Sequence, residues 1–172
     1  MSMINSEVEQ PARSGSAESR RPAVFVGLLA LTLGVGALGG LATADGVRNW
    51  YPALQRPAWT PPNSLFAPVW TTLYVLIAAA GWRLYLERPR DDHRARMLWW
   101  TQLVLNGIWS PVFFAAHRIG AAAVIVAALW FVITWFVLIT WRPERLSSVL
   151  FIPYWAWVTF ASSLHFALWW MN

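Results

Sequence analysis

The sequence predicts an all-α integral membrane protein, a five-transmembrane-helix bundle with a Trp- and Pro-rich loop after the first helix. The 172 residues are 58% hydrophobic and only 12% charged, whereas about 25% of the residues in an ordinary soluble domain are charged. Five apolar segments of about 20 residues or more follow one another. Each is long enough to cross a hydrocarbon core of about 30 Å, which favours membrane helices over a soluble fold.

The chain divides into a tail and a membrane domain. Residues 1–21 are polar and lack an apolar period, which predicts a disordered tail. The membrane domain covers residues 22–172, with helices expected at about 22–44, 65–86, 97–116, 119–141 and 146–171. Prolines inside these segments, Pro68, Pro111 and Pro153, predict kinks rather than breaks, because neighbouring helices can satisfy the freed carbonyls.

The first apolar segment has a competing interpretation. Arg20 and Arg21 precede it, and it ends in an Ala42-Thr43-Ala44 sequence, as in a twin-arginine signal with an Ala-x-Ala cleavage site. The apolar run is longer than the usual core of about 7–15 residues, which favours a retained helix. The same segment carries Gly36 and Gly40 as a G-x-x-x-G pair, which predicts a helix–helix contact.

The loop at residues 50–62 has four prolines in thirteen residues, so it cannot form one continuous helix. It also carries three large aromatics, Trp50, Tyr51 and Trp59. Trp and Tyr favour the headgroup region, so an interfacial anchor is one interpretation. The other is a rigid cover over a site at the membrane surface.

Polar and aromatic side chains recur at helical spacing within the later segments. Gln102, Asn106 and Ser110 share one face of the third helix, either for interhelical hydrogen bonds or as a pocket wall. Aromatic side chains at helical spacing, Trp70 and Tyr74 in the second helix and Tyr154 and Trp157 in the fifth, are either packing contacts, which is the commoner case, or parts of a pocket. The small Ala161, one turn from Trp157, would leave room for a flat ligand.

Several classes of site are absent from the sequence. There is no cysteine, no nucleophile elbow and no phosphate loop, and the three histidines are not at metal-ligand spacing. We therefore expect no metal and no required cofactor. All thirteen basic residues are Arg and they flank apolar segments, which favours membrane orientation over nucleic-acid binding.

The arginines predict the orientation. Ten lie on one side of the predicted bundle, namely Arg13, Arg20, Arg21, Arg83, Arg88, Arg90, Arg94, Arg96, Arg142 and Arg145, and three on the other, Arg48, Arg56 and Arg118. The positive-inside rule then places the N-terminus in the cytoplasm and the loop at residues 50–62 outside. A bacterial inner membrane is favoured, and an outer membrane is the alternative.

Separated blocks of the chain resemble the tryptophan-rich sensory protein and translocator protein family, also called the peripheral benzodiazepine receptor. They are Trp50-Tyr51-x-x-Leu54-x-Arg56-Pro57-x-Trp59-x-Pro61-Pro62, Ala67-Pro68-Val69-Trp70-Thr71-Thr72-Leu73-Tyr74, residues 102–114 and Ile152-Pro153-Tyr154-Trp155-Ala156-Trp157. The resemblance spans about residues 25–172. It implies a pocket beneath the first loop and, as in relatives, a homodimer.

The resemblance also implies a ligand class. Family members bind porphyrins such as protoporphyrin IX and haem, isoquinoline-carboxamide and benzodiazepine drugs, and in animals cholesterol. Family ligand positions fall at Tyr51, Pro61, Trp70, Tyr74, Asn106, Trp109, Trp157 and Ala161. The animal sterol motif is incomplete at residues 164–170, which have neither the Tyr nor the basic residue. The family's usual loop lysine is Arg56 here, and we expect Arg48 or Arg56 to contact a porphyrin propionate.

Three functions follow as hypotheses. The first is a membrane receptor or sensor that binds porphyrins and related flat hydrophobic ligands and carries or disposes of them. The second is an enzyme that degrades protoporphyrin in light, with Trp70 and Trp157 matching the tryptophans implicated in bacterial relatives. The third is a passive tetrapyrrole transporter.

Overall fold

The computed structural model describes residues 15–87 and 93–172, and in that part of the chain every regular element is helical. The helices are α1 Gly15–Asp45, α2 Asn63–Glu87, α3 His93–Ser110, α4 Ile119–Thr140 and α5 Arg145–Met171. α1 begins at Gly15 rather than at residue 22, because helix-favouring residues such as Ala17 and Arg20 extend it beyond the apolar run. The rest of the predicted tail, residues 1–14, lies outside the described residues.

Within the described residues, four stretches are long and apolar enough to cross a membrane. They are Arg21–Ala53, Asn63–Leu86, Ile119–Thr140 and Arg145–Met171. α3 is the helix that falls short, because its first turn carries Arg94 and Arg96 and its interior carries Gln102 and Asn106. Helix length and apolarity therefore support four of the five predicted spans.

The helices form a closed ring in the order α1, α2, α5, α4, α3, with α3 returning to α1. Large side chains fill the ring's centre, and Ile77, Trp99, Phe136, Phe151 and Tyr154 are at most 1% exposed. Trp99 is held in place by its indole N–H, which donates to the carbonyl of Ile77 at 2.9 Å. Burial of these side chains, rather than a single amphipathic stripe on each helix, positions the helices around the centre.

The prolines behave in two ways. α2 and α5 continue as α-helices through Pro68 and Pro153, as the prediction of kinks without breaks requires. At Pro111, however, α3 ends and widens into the π-helical turn Pro111–Ala115. The Ala116 N–H donates to the Pro111 carbonyl five residues back, at 2.9 Å. The missing proline N–H weakens the α-helical pattern at this point and favours the wider turn.

The loop between α1 and α2 begins as a continuation of α1. The chain widens into a π-helical turn at Gly46–Trp50 and a short 3₁₀ turn at Tyr51–Ala53 before it becomes irregular. A Cβ on Gly46 would overlap the backbone carbonyl of Phe114, so only glycine permits this close approach to the turn after α3. The two turns are thereby packed together at one end of the bundle.

The side chain of Asn172 fastens the loop to the end of α5. Its Nδ2 donates to the Gln55 carbonyl at 3.0 Å, and its Oδ1 accepts from the Gln55 N–H, also at 3.0 Å. A second Asn172 Nδ2 bond reaches the Leu168 carbonyl at 2.9 Å. One carboxamide therefore connects the middle of the loop to the last turn of α5.

Replacing Asn172 with Ala is expected to release the loop locally. The Gln55 amide loses its acceptor, and a net hydrogen-bond contribution of about 1 kcal/mol corresponds to about fivefold faster amide exchange. Hydrogen–deuterium exchange of the peptide covering residues 52–58 measures this. Met171→Ala, which changes an exposed neighbour, is the control. Unchanged exchange in Asn172→Ala would show that the two bonds do not hold the loop.

Candidate ligand-binding site

A cavity of about 650 Å³ opens among α1, α2, α3 and α5, beneath the start of the first loop. Six of the eight predicted ligand positions line it: Tyr51, Trp70, Tyr74, Asn106, Trp109 and Ala161. They come from the first loop and from three different helices. Its volume lies within the range of about 300–1,000 Å³ typical of small-molecule sites.

The other two predicted positions lie elsewhere. Pro61 lines a second cavity at the outer side of the loop. Trp157 packs edge-on against Phe66, with ring centroids 5.7 Å apart, and it is Phe66 that lines the main cavity. Helical spacing placed Trp157 on the same face as Ala161 but did not reveal the α2 side chain that covers it. Trp157 therefore supports the wall rather than forming it.

The two glycines of the G-x-x-x-G pair both line the cavity but differ in their surroundings. A Cβ on Gly36 would overlap the ring of Tyr74, so Gly36 lies at a close contact between α1 and α2. A Cβ on Gly40 would meet no atom of the described residues within 4 Å. The predicted helix contact within the chain is therefore present at Gly36 and absent at Gly40, because Gly40 faces open space.

Asn106 ties three helices together at the inner end of the cavity. The Tyr74 hydroxyl donates to Asn106 Oδ1 at 2.9 Å, and Asn106 Nδ2 donates to the Tyr154 hydroxyl at 2.9 Å. Gln102, one turn earlier, bonds instead to the Trp99 carbonyl of its own helix at 2.9 Å. Interhelical hydrogen bonding and pocket lining, the two interpretations of this polar face, thus coincide at Asn106.

The aromatic wall holds hydrogen-bond donors without an acceptor. Trp109 stacks on Phe113, with centroids 5.7 Å apart and the planes inclined by 12°. Its Nε1 is buried and has no partner among the described residues, and the same is true of Trp157 Nε1. A buried donor left unpaired costs about 1–3 kcal/mol. Trp109 lines the cavity, but its Nε1 is itself buried, so a ligand acceptor would reach this atom only if neighbouring side chains moved.

Sequence reasoning did not assign several cavity residues, including Phe66, Phe113, Phe114 and His165. His165 continues the α5 face that carries Ala161, and that spacing could have found it. Its Nε2 donates to the Ile119 carbonyl at 2.9 Å, since a carbonyl can only accept. Phe113 lies seven residues after Asn106 and Phe114 four after Ser110, so the same helical spacing could have found them, although they belong to the π-helical turn.

The second cavity, of about 620 Å³, shares Asn63 with the main cavity and is lined by Leu54, Arg56, Pro57, Thr60, Pro61, Pro62 and Asn63. The Arg56 guanidinium borders it and sits over the Tyr51 ring, 5.4 Å from the centroid. Arg48 lines neither cavity, and its Nε donates to the Ala44 carbonyl at 3.1 Å. In residues 15–87 and 93–172, no group of three His, Asp or Glu could hold a metal ion.

Residues 28–171, which include every cavity-lining element, match the model of the TspO/MBR family. The chain belongs to the TspO/MBR family. It is 34% identical to the tryptophan-rich protein TspO of Archaeoglobus fulgidus, over 86% of this chain and 96% of that protein. It is 34% identical to protein CrtK of Rhodobacter capsulatus, over 72% of this chain and 78% of that one.

The human translocator protein is 32% identical, over 73% of this chain and 75% of its own length. Membership of the TspO/MBR family confirms the resemblance noted in the sequence blocks. Together with the four long apolar helices, it identifies an integral membrane protein.

Proposed function

We propose that this TspO/MBR family protein is a membrane receptor or sensor that binds porphyrins such as protoporphyrin IX or haem, and related flat hydrophobic ligands, in the main cavity. The observation that carries the proposal is the convergence on one cavity of six positions that the family resemblance implies as ligand contacts. Porphyrin is the ligand, and no cofactor is required.

The chemistry of the wall suits a flat aromatic molecule. The ring centroids of Trp70 and Tyr74 lie 5.6 Å apart on α2, and Trp109 stacks on Phe113 in the same lining. Aromatic pairs contribute about 0.5–1.5 kcal/mol each beyond the area they bury. The wall also contains the buried Trp109 Nε1, which has no partner among the described residues.

The membrane arrangement is part of the proposal. α3 packs between α1 and α4, two helices long enough to cross, so we propose that it crosses beside them as the fifth span. The arginine asymmetry favours a cytoplasmic N-terminus in a bacterial inner membrane. Of those arginines, Arg13, Arg88 and Arg90 lie outside the described residues. A homodimer is proposed on the family resemblance.

Quenching of tryptophan fluorescence by protoporphyrin IX, titrated in darkness in detergent, tests the proposal. Ala161→Leu adds three carbons inside the cavity and is expected to weaken binding at least tenfold, or by about 1.4 kcal/mol. Ala156→Leu is the control, because Ala156 lies on the same helix but is exposed and outside the cavity. Equal affinities in wild type and Ala161→Leu would show that this cavity is not the binding site.

Trp70 lines the cavity, which favours light-dependent degradation of porphyrin as the second candidate function. Illumination of the bound complex separates the two. If the protein is a receptor, the bound porphyrin loses absorbance under light at the same rate in wild type and in Trp70→Phe. If it is an enzyme, the absorbance falls faster in wild type than in Trp70→Phe. Movement of the porphyrin across sealed vesicles containing the protein would instead support the transporter.

A further inference from the structure

We propose that the second cavity is a carboxylate subsite, in which Arg56 pairs with an acidic group of a ligand whose flat apolar body occupies the main cavity. This inference rests on the proposed function, because it names acidic porphyrins as the class of ligand that the site prefers over neutral esters. It also separates the two loop arginines, Arg48 and Arg56, and assigns the contact to Arg56.

The two cavities are neighbours. Asn63, the first residue of α2, lines both of them. Tyr51 is buried and lines the main cavity. The Arg56 guanidinium lies over the Tyr51 ring. The positive charge therefore lies at the boundary between an aromatic chamber and an open polar one.

The two cavities differ in the charged side chains that line them. None of the residues lining the main cavity is Asp, Glu, Lys or Arg, and the Nε2 of the one histidine in that lining, His165, is bonded to the Ile119 carbonyl. The main cavity therefore offers no permanent positive charge to a carboxylate taken from water. Among the residues lining the second cavity, Arg56 alone is charged. The Thr60 hydroxyl donates to the Pro57 carbonyl at 2.7 Å, so its proton is already used within the loop. A carboxylate at this boundary would therefore meet Arg56 as its counter-charge.

The Arg56 side chain is partly restrained before any ligand binds. Its guanidinium rests on the Tyr51 ring, and a cation–π contact of this kind contributes about 0.5–1 kcal/mol at exposed sites. The ring is itself held edge-on by Phe113 and Phe114, at 6.2 and 5.6 Å. A guanidinium restrained in this way loses less freedom when it forms a bidentate pair with a carboxylate. Arg48 has no such support near the site, and its Nε is turned back to α1.

The experiment compares protoporphyrin IX with its dimethyl ester, which keeps the macrocycle and removes both negative charges. Affinities are measured in darkness for wild type, Arg56→Gln, Arg56→Lys and Arg48→Gln. Arg56→Gln is expected to weaken the acid about fivefold and to change the ester less than twofold, as for a partly exposed ion pair. Arg56→Lys, which keeps the charge and loses the fork, should recover part of the difference. Arg48→Gln should leave the acid-to-ester ratio at the wild-type value.

Each contrary outcome has a distinct meaning. If Arg56→Gln weakens acid and ester equally, Arg56 acts through the loop and the subsite is wrong. If Arg48→Gln and Arg56→Gln lower acid binding alike, general surface charge is responsible and the subsite is again wrong. Wild-type binding of both ligands with no response to Arg56→Gln overturns the subsite and leaves the proposed function standing. Failure of wild type to bind either ligand overturns both.

Discussion

Replacing Asn106 with Leu is expected to lower the free energy of unfolding by about 2 kcal/mol, the largest stability effect of any polar change near the cavity. Leu has a similar volume but cannot accept from the Tyr74 hydroxyl or donate to the Tyr154 hydroxyl. Two buried hydroxyls on different helices are left without their partner, each at a cost of about 1 kcal/mol or more. The links from α3 to α2 and to α5 are lost together.

Gln102→Met is the matched control, because Gln102 is also fully buried on α3 but bonds only to the Trp99 carbonyl of its own helix. Its Oε1 has no hydrogen-bond partner among the described residues, so little is lost on substitution. Reversible unfolding in mixed micelles with increasing SDS measures both variants. A loss in Gln102→Met as large as that in Asn106→Leu would mean that the interhelical bonds contribute no more than local ones.

Gly36→Ala is expected to destabilise the protein by about 1–3 kcal/mol, the usual cost of overpacking a close contact. The added Cβ would overlap the Tyr74 ring, so the ring must move, and its hydroxyl leaves Asn106. Because Tyr74 lines the main cavity, the same movement should weaken porphyrin binding. One methyl group would therefore change both stability and affinity.

Gly40→Ala is the control for this change, one turn along the same helix. Its Cβ would meet nothing within 4 Å, so the fold should tolerate it and gain up to about 1 kcal/mol of helix propensity. Thermal unfolding in detergent, followed by tryptophan fluorescence, compares the two. Equal melting temperatures for Gly36→Ala and Gly40→Ala would contradict the close contact between α1 and Tyr74.

Much of the architecture could be predicted from apolar segment length. Four of the five predicted segments correspond to helices that are long and apolar enough to cross a membrane, because hydrophobicity directly reflects the solvent around a membrane helix. α3 is different, because its polar residues Gln102 and Asn106 are buried against other helices. A mean hydropathy taken along the sequence does not show that burial. α1 extends from its apolar run back to Gly15, because a helix can continue beyond the residues whose apolarity marks it in the sequence.

Family blocks and helical spacing agree at Trp70, Asn106 and Ala161, and all three line the main cavity. The lining could not be predicted from spacing where another helix intervenes. Phe66 of α2 covers Trp157 of α5, and only the packing of the two helices reveals this. Phe113 and Phe114 continue the α3 face of Asn106 and Ser110 into the π-helical turn after Pro111, and their packing against Tyr51 shows how that face meets the loop at the cavity.

The most direct test of the central claim, that the main cavity binds porphyrin-type ligands, is a structure of the protein with protoporphyrin IX in lipid. We predict density for the macrocycle among Trp70, Tyr74, Trp109 and Phe113, with one propionate directed toward Arg56. Density for the macrocycle on the outer surface of the bundle, with the cavity empty, would contradict the account.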